Sequence, residues 1–169
     1  MSRAMSEHPR VRIAVVTVSD TRTAANDEGG ARLRERLAAA GFEVTFTAIV
    51  SDDAGALRAL IGRVCDERLA DAIVTTGGTG IAPRDQTYEA VSGLLEKRLD
   101  GFGEAFRRLS WDEMGPRSVL SRALAGTYRG RVVAALPGSP KAIALAVDRI
   151  LAPILPHAVA LARGERHGH

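Results

Sequence analysis

The chain of 169 residues is long enough to fold as one domain around its own hydrophobic core, without disulfides or a structural metal. Its 46% apolar and 25% charged residues exclude a disordered or fibrous chain, and its single cysteine, Cys65, excludes an intramolecular disulfide and favours a reducing cytoplasm. The net charge is +3, but the basic residues are scattered along predicted helix faces and are not interleaved with aromatic residues, which argues against nucleic-acid binding.

Strands and helices alternate in the first half of the chain. Runs of β-branched apolar residues predict buried strands at residues 12–19, 42–50 and 72–75. After the first strand, a polar loop at residues 20–30 leads into a helix that stops near Gly41. After the second strand, residues 51–53 can cap a helix with apolar positions at helical spacing, so Cys65 is predicted to be packed and not reactive.

The alternation continues in the second half. A further helix follows the third strand, and residues 102–121 are predicted to be mostly helical, with turn signals at Gly115 and Pro116. A last strand at residues 131–136 leads into a helix at residues 140–151. Alternation of this kind predicts an α/β fold with a parallel, doubly wound sheet.

No repeat or linker divides the sequence. We predict a single domain at residues 11–163, a disordered tail at residues 1–10 and a frayed tail at residues 164–169. A short helix is expected from Pro153 through Leu161. The start of the chain lacks the apolar core of a signal peptide, and no stretch is long enough to span a bilayer, so we expect the protein to be neither exported nor embedded in a membrane.

The loops after the four strands carry most of the unusual residues. In an open parallel sheet, ligands bind beyond the carboxyl ends of the strands. The loops after Val18, Val50, Thr75 and Leu136 are therefore expected to meet at one edge of the sheet. That edge is the predicted ligand site.

A glycine-rich loop follows the third strand. Gly77, Gly78 and Gly80 lack side chains, so a phosphate or a ring can approach the backbone N–H groups closely. Thr76 and Thr79 add hydroxyl groups. The spacing matches neither the dinucleotide fingerprint nor the P-loop. The loop predicts an anion or nucleotide cradle; the alternative is a turn that only reverses the chain.

The loop after the last strand, Pro137 to Lys141, reads as a helix start. Ser139 is a good N-cap, and Pro140 is a good first helical residue. The N–H groups of Gly138 and Ser139 would then face an anion, helped by the helix dipole. Lys141 adds a full charge in a chain that uses arginine almost everywhere else. The alternative is an ordinary helix start with a solvated lysine.

Four aspartates fall in the same loops: Asp20, Asp52, Asp53 and Asp85. Carboxylates that converge near a phosphate site suit Mg²⁺, which prefers oxygen ligands. Asp52 and Asp85 are the best placed, although each aspartate alone is more often a helix cap or a turn former. The histidines lie near the two ends of the chain, so a catalytic triad has no obvious base.

Taken together, these motifs resemble the molybdenum cofactor biosynthesis protein B family (MoaB) and the wider group of MoaB, MogA and gephyrin G domains. The resemblance spans residues 12–154. It rests on five ordered segments, at residues 18–22, 75–87, 101–104, 120–122 and 136–141. A binder of an unrelated nucleotide would require all five to be coincidental.

The resemblance implies a three-layer α/β/α sandwich with a mostly parallel, Rossmann-like sheet, assembled as a trimer or hexamer. It also implies a protein that binds molybdopterin, works with other molybdenum cofactor biosynthesis proteins and, in active relatives, adenylylates molybdopterin with Mg-ATP. The alternative is a non-catalytic molybdopterin-binding or scaffold protein.

Carried onto this chain, the two functionally important aspartates of the family fall on Asp52 and Asp85, the expected catalytic residues and magnesium ligands. The expected substrate-binding residues are Ser19, Asp20, Thr76, Gly77, Gly78, Thr79, Gly80, Ser121, Arg122, Pro137, Gly138, Ser139 and Lys141.

Overall fold

The computed structural model describes residues 10–165. Its strands are β1 (Arg12–Val18), β2 (Glu43–Val50), β3 (Ala72–Thr76), β4 (Lys97–Arg98), β5 (Leu124–Tyr128) and β6 (Arg131–Leu136). Its α-helices are α1 (Glu28–Ala39), α2 (Ala54–Asp66), α3 (Thr87–Leu94), α4 (Asp100–Met114), α5 (Pro140–Ala146) and α6 (Ala152–Ala162). A 3₁₀ helix, Gly115–Leu120, follows α4, and a π-helical turn, Val147–Leu151, joins α5 to α6. Most of the two predicted tails, at residues 1–10 and 164–169, lies outside the described residues.

The strands form one mixed sheet in the order β2-β1-β3-β6-β5-β4. β1 pairs in parallel with β2 and β3, and β3 pairs in parallel with β6. β5 is antiparallel to both β6 and β4. The predicted α/β fold with a mostly parallel sheet is confirmed, and the antiparallel edge is an addition to it.

The sequence pattern predicts neither β4 nor β5. Gly126 in the middle of β5 weakens the strand signal, yet it is required there because an added Cβ would overlap the Lys97 carbonyl oxygen of β4. Arg129 and Gly130, with φ of +49° and +75°, form the tight turn that joins β5 to β6. The hairpin therefore depends on a short turn that alternating strand and helix patterns do not reveal.

Helices cover both faces of the sheet and complete the three layers. Because successive residues of a strand point to opposite faces, Ile13 and Val15 join one core with α1, α4, α5 and α6. Ala14 and Val16 join the other core with α2 and α3. Cys65 is 3% exposed in this second core, as predicted, and burial raises the pKa of its thiol.

The helical run Pro140–Ala162 is longer than expected. The predicted helix at residues 140–151 and the short helix after it are continuous, and the 23-residue run is long and apolar enough to cross a membrane by length and composition. The expectation that no stretch is long enough to span a bilayer was wrong, because the two predicted helices form one continuous run. One side of the run, including Ile143, Val147 and Leu155, is fully buried in the first core. That packing accounts for its apolar composition.

Asp71 links three segments at the amino-terminal edge of the sheet, opposite the loops. Its carboxylate accepts a hydrogen bond from the Arg12 backbone N–H at 2.9 Å and pairs with the guanidinium groups of Arg12, at 3.2 Å, and Arg163. Burial acts to raise the pKa of this carboxyl. The hydrogen bonds from Arg12 and Arg163 outweigh it, so the pKa of Asp71 lies below its ordinary value.

Replacing Asp71 by asparagine should destabilise the fold by about 1–3 kcal/mol, because two guanidinium groups lose their anionic partner. The pKa of Asp71 is lower in the folded chain than in the unfolded one, so its contribution is complete above the unfolded value of about 3.9 and is lost as the pH falls through the folded value. Urea denaturation at several pH values should therefore show the difference between wild type and Asp71→Asn shrinking below about pH 4.

The control for this prediction is Glu67→Gln. Glu67 pairs with Arg63 at 3.0 Å, but both side chains are more than half exposed. An exposed pair contributes little, so this variant should differ from wild type by less than about 0.5 kcal/mol. If Asp71→Asn lowered the free energy of unfolding equally at pH 7 and pH 3, the lowered pKa assigned to Asp71 would be contradicted.

Candidate ligand site at the carboxyl edge of the sheet

The loops after β1, β2, β3 and β6 meet at one edge, as predicted. The Ser19 N–H donates to the Val50 carbonyl at 2.9 Å, which joins the first two loops. The Thr76 hydroxyl donates to the Pro137 carbonyl at 3.0 Å, which joins the other two. The Thr76 hydroxyl thus holds the two loops together, and its predicted part in substrate binding stays a prediction.

Two glycines of the loop after β3 lie where a side chain would collide with the protein. Gly77 has a φ of +100°, and an added Cβ would overlap the carbonyl oxygen of Val18. Gly78 has a φ of +71°, and an added Cβ would overlap the hydroxyl oxygen of Thr87. Both the backbone conformation and the close packing require glycine.

Thr87, the first residue of α3, holds the first part of this loop. Its hydroxyl donates to the Gly77 carbonyl at 2.8 Å, and its backbone N–H donates to the Gly78 carbonyl at 3.1 Å. Thr87 is 1% exposed. It belongs to one of the five motifs, but its spacing alone suggests no more than a helix start, so its role was missed.

Arg122 holds the second part of the loop. Its Nε and Nη2 donate to the Gly80 carbonyl at 3.0 and 2.7 Å, and its backbone N–H donates to the Thr79 carbonyl at 3.1 Å. Its Nη1 pairs with Glu89 at 2.5 Å, and the guanidinium lies 4.9 Å from the ring centre of Tyr88. The guanidinium of Arg122 is thus engaged by the loop and by α3, and its predicted part in substrate binding stays a prediction.

Asp52 lies between two other aspartates beside the loop. Its backbone N–H donates to Oδ1 of Asp20 at 2.9 Å, and the Gln86 N–H donates to Oδ1 of Asp52 at 3.1 Å. Burial raises the pKa of the Asp52 carboxyl, the bond from Gln86 opposes that rise, and the charges of Asp85 and Asp20 add to it. The resulting pKa lies above its ordinary value, as expected where negative charge accumulates.

Removing the charge of Asp85 should therefore lower the pKa of Asp52. An NMR titration of the Asp52 carboxyl carbon in wild type and in Asp85→Asn measures the change. Asp53→Asn is the matched control, because Asp53 is not among the groups that shift the pKa of Asp52. An identical Asp52 pKa in wild type and Asp85→Asn would show that the two carboxylates do not interact.

The remaining aspartates have different roles. Asp53 is the N-cap of α2 and accepts a hydrogen bond from the Ala56 N–H at 2.7 Å, so the cap interpretation applies to it. Asp85 accepts a hydrogen bond from the Ala82 N–H at 3.0 Å. An added Cβ on Gly80 would lie 2.7 Å from Oδ2 of Asp85, which places this carboxylate directly against the glycine loop.

The carboxylates of Asp52 and Asp85 are of the type that Mg²⁺ takes as ligands. Residues 10–165 contain no group of three or more His, Cys, Asp or Glu side chains suited to a metal ion. Mg²⁺, however, commonly takes one or two protein carboxylates and fills its shell with water and substrate phosphates. Within residues 10–165, the hydrogen bonds to these carboxylates reach Oδ1 of Asp52 and Oδ2 of Asp85.

The loop after β6 begins α5 as predicted. Ser139 is the N-cap and accepts a hydrogen bond from the Ala142 N–H at 3.2 Å, and Pro140 opens the helix. Gly138 and Ser139 line a cavity beside the glycine loop. Lys141 is exposed on the first turn and does not line this cavity, so its part in ligand binding stays a prediction.

This cavity has a volume of about 420 Å³ and lies between the glycine loop, the start of α5 and the segment formed by α4 and the 3₁₀ helix. The predicted residues that line it are Gly78, Thr79, Gly80, Ser121, Pro137, Gly138 and Ser139. Phe106, Ser110 and Met114 of α4 form part of the opposite wall. This wall was missed, since apolar residues at helical spacing are read as core. The half-exposure of Met114 marks this wall only in the structure, and its spacing in the sequence does not separate it from a core residue.

Ser121 and Ser19 differ in what they offer a ligand. The Ser121 hydroxyl oxygen is buried at the cavity wall and has no hydrogen-bond partner among residues 10–165. A buried hydroxyl left unpaired costs about 1–3 kcal/mol, so a polar ligand group would fit there. The Ser19 hydroxyl instead accepts hydrogen bonds from the N–H groups of Thr21, at 3.2 Å, and Arg22, at 3.1 Å, and closes a turn.

Known proteins match the chain over nearly its whole length. Residues 14–157 match the family described as "Probable molybdopterin binding domain". Molybdenum cofactor biosynthesis protein B of Staphylococcus aureus (strain Mu50) is 43% identical over 164 residues, which cover 92% of this chain and 97% of the relative.

Solved structures agree with the sequence relatives. A crystal structure of molybdenum cofactor biosynthesis protein B has a TM-score of 0.89 and 41% identity, covering 93% of this chain and 98% of that chain. The tungsten cofactor synthesizing protein MoaB from Pyrococcus furiosus has a TM-score of 0.80 and 38% identity, covering 91% of this chain and 98% of that chain. The chain therefore belongs to the molybdopterin-binding family of molybdenum cofactor biosynthesis proteins that includes protein B, and its function lies in that pathway.

Proposed function

We propose that the chain binds molybdopterin in the cavity beside the glycine loop and adenylylates it with Mg-ATP, in preparation for molybdate insertion. One observation carries the proposal: Gly78 and Gly80 line the cavity and also lie against the carboxylates of Asp52 and Asp85. A phosphate bound on the loop and a cation held by the two carboxylates would therefore be neighbours.

The start of α5 would hold the terminal phosphate of the pterin. The N–H groups of Gly138 and Ser139 lie at a helix start, where the helix dipole favours an anion, and Lys141 adds a positive charge on the first turn. The unpaired Ser121 hydroxyl at the cavity wall would bond to a polar group of the same ligand.

Asp52 and Asp85 would hold Mg²⁺, which when bound neutralises charge on the triphosphate. The Gln86 N–H orients one oxygen of Asp52, so the carboxylate is held in place before the cation arrives. Adenylyl transfer of this kind depends on positioning and charge neutralisation, and it needs no histidine or cysteine base.

The second candidate function is molybdopterin binding without turnover. It is favoured by the lack of a three-ligand metal group among residues 10–165, which makes the cation site incomplete until a substrate supplies oxygens. A chain that bound the pterin but not Mg-ATP would act as a carrier or scaffold in the same pathway.

A mixed assay separates the two functions. Molybdopterin, ATP and Mg²⁺ are incubated with the protein, and adenylylated molybdopterin is separated and quantified, with an active relative as positive control. Binding of molybdopterin alone is measured by fluorescence titration. Binding with no product, under conditions where the relative is active, removes the enzyme proposal and leaves the scaffold; no binding removes both.

We further propose that the chain works in the cytoplasm as a homo-oligomer, a trimer or a hexamer, together with other proteins of the pathway. Trp111, Met114 and Val119 are 50%, 52% and 65% exposed on α4 and the 3₁₀ helix, and a monomer rarely leaves such an apolar surface uncovered. Sedimentation velocity tests this, since a monomer at micromolar concentration would contradict it. Neither nucleic acid nor a membrane is proposed as a partner.

A further inference from the structure

Thr87 and Arg122 do not line the cavity, but both bond to the glycine loop, which does. Thr87 donates hydrogen bonds to the carbonyls of Gly77 and Gly78. Arg122 donates to the next two carbonyls, through its backbone N–H and its guanidinium. Four consecutive carbonyls, those of residues 77–80, are therefore all bonded to one of these two residues.

The direction of the carbonyls determines the direction of the N–H groups. In a trans peptide, the carbonyl of one residue and the N–H of the next point in opposite directions, and the described residues contain no cis peptide. The N–H groups of residues 78–81 must therefore point away from Thr87 and Arg122. None of them donates a hydrogen bond elsewhere within residues 10–165.

Thr87 and Arg122 both act from the side of α3. Thr87 begins that helix, and Arg122 pairs with Glu89 at 2.5 Å and lies over the ring of Tyr88. The cavity has walls from the loop, α4, the 3₁₀ helix and the start of α5, and no residue of α3 lines it. The N–H groups of the loop therefore point away from the donors beside α3, and three of the loop residues, Gly78, Thr79 and Gly80, line the cavity.

We infer that Thr87 and Arg122 are positioning residues, which hold the glycine loop so that the N–H groups of residues 78–81 form an anion-binding surface. Three of these residues, Gly78, Thr79 and Gly80, line the cavity. Consecutive N–H groups without a protein partner are suited to the oxygens of a phosphate. The identity of the natural ligand rests on the proposed function, but the anion-binding surface does not. The role assigned to Arg122 changes from contacting substrate to shaping the loop.

The hydroxyl of Thr87 can be removed with little change in volume. Valine at this position keeps the backbone bond to Gly78 but leaves the Gly77 carbonyl without its side-chain donor, whereas serine keeps both. Thr45 provides a matched control, because its hydroxyl also donates to a backbone carbonyl, that of Leu69, at 2.6 Å, in a distant part of the sheet.

The test is an NMR titration of ¹⁵N-labelled protein with inorganic pyrophosphate. In wild type, the amide signals of residues 78–81 should shift and saturate. Thr87→Val should weaken the apparent affinity about tenfold, which corresponds to about 1.4 kcal/mol. Thr87→Ser and Thr45→Val should match wild type, which would exclude a general effect of losing a threonine hydroxyl.

Arg122→Lys is the second variant, because lysine cannot donate from two nitrogens to the Gly80 carbonyl and pair with Glu89 in the same planar geometry. It should also weaken pyrophosphate binding about tenfold. Its control is Arg131→Lys, where the guanidinium also bonds backbone carbonyls, those of Ala70 and Arg129, far from the site.

Two results would overturn the inference. Wild-type amides of residues 78–81 that do not respond to pyrophosphate would remove the anion-binding surface, and Thr87→Val and Arg122→Lys variants that bind as wild type does would remove the positioning role. Because the titration needs neither molybdopterin nor turnover, it can succeed when the mixed assay yields no adenylylated product, so failure of the inference and failure of the proposed function are read from different measurements.

Discussion

Asp52→Asn is expected to reduce adenylylation of molybdopterin by roughly a hundredfold to a thousandfold while leaving molybdopterin binding unchanged. Asparagine has nearly the same volume and still offers an oxygen to the Gln86 N–H, which bonds Asp52 at 3.1 Å. It removes only the charge needed to hold Mg²⁺ beside the triphosphate. The measurement is the initial rate of adenylylated product, with binding titrated separately.

Asp53→Asn is the matched control for this prediction. Asp53 is the neighbouring residue, but its carboxylate caps α2 through the Ala56 N–H at 2.7 Å, and asparagine is an equally good cap. The control should retain wild-type adenylylation. Equal rates in Asp52→Asn and wild type would show that Asp52 holds no essential cation, and equal losses in both variants would point to the local charge and not to a ligand.

The pH dependence of the same reaction follows from the environment of Asp52. Burial and the charges of Asp85 and Asp20 raise its pKa, so the ionised form that binds Mg²⁺ should be lost at a higher pH than for an ordinary aspartate. At limiting Mg²⁺, the rate should fall as the pH drops through this raised pKa. Saturating Mg²⁺ favours the ionised form and should move the fall to lower pH.

Local patterns were sufficient to predict the parallel strands, the shared loop edge and the Ser139 cap. Each depends on residues close in sequence: a β-branched run, a strand end, or a serine followed by proline. Asp52 and Asp85 were predicted from their positions after two strands, and the structure places both against the glycine loop. That prediction needed only the rule that the carboxyl ends of parallel strands lie at one edge of the sheet.

The other features depend on contacts between distant residues. Arg122 donates to the Gly80 carbonyl, which lies 42 positions away in the sequence. An arginine read from the sequence alone does not indicate such a bond. The Gln86 bond to Asp52 spans 34 positions. The wall formed by α4 and the antiparallel strand β5 likewise depend on how segments pack, which periodicity does not encode. The sequence identifies the candidate residues of the site. It does not show which of them would contact a ligand and which hold the loop in place.

The glycine loop should also be highly sensitive to a single added methyl group. Gly77→Ala should lower the free energy of unfolding by more than about 3 kcal/mol. Its φ of +100° disfavours any side chain, and the added Cβ would overlap the Val18 carbonyl oxygen, a backbone atom that cannot rotate away. Urea denaturation with a common m-value measures the change.

Gly62→Ala is the matched variant with the opposite expected sign. Gly62 lies within α2, and an added Cβ there would meet nothing within 4 Å. Alanine in such a helix position should stabilise the chain by about 0.5–1 kcal/mol. A Gly77→Ala protein as stable as wild type would mean that the Val18 carbonyl at the end of β1 moves aside. The N–H groups of the glycine loop would then not be held as closely as the contacts of Gly77 require.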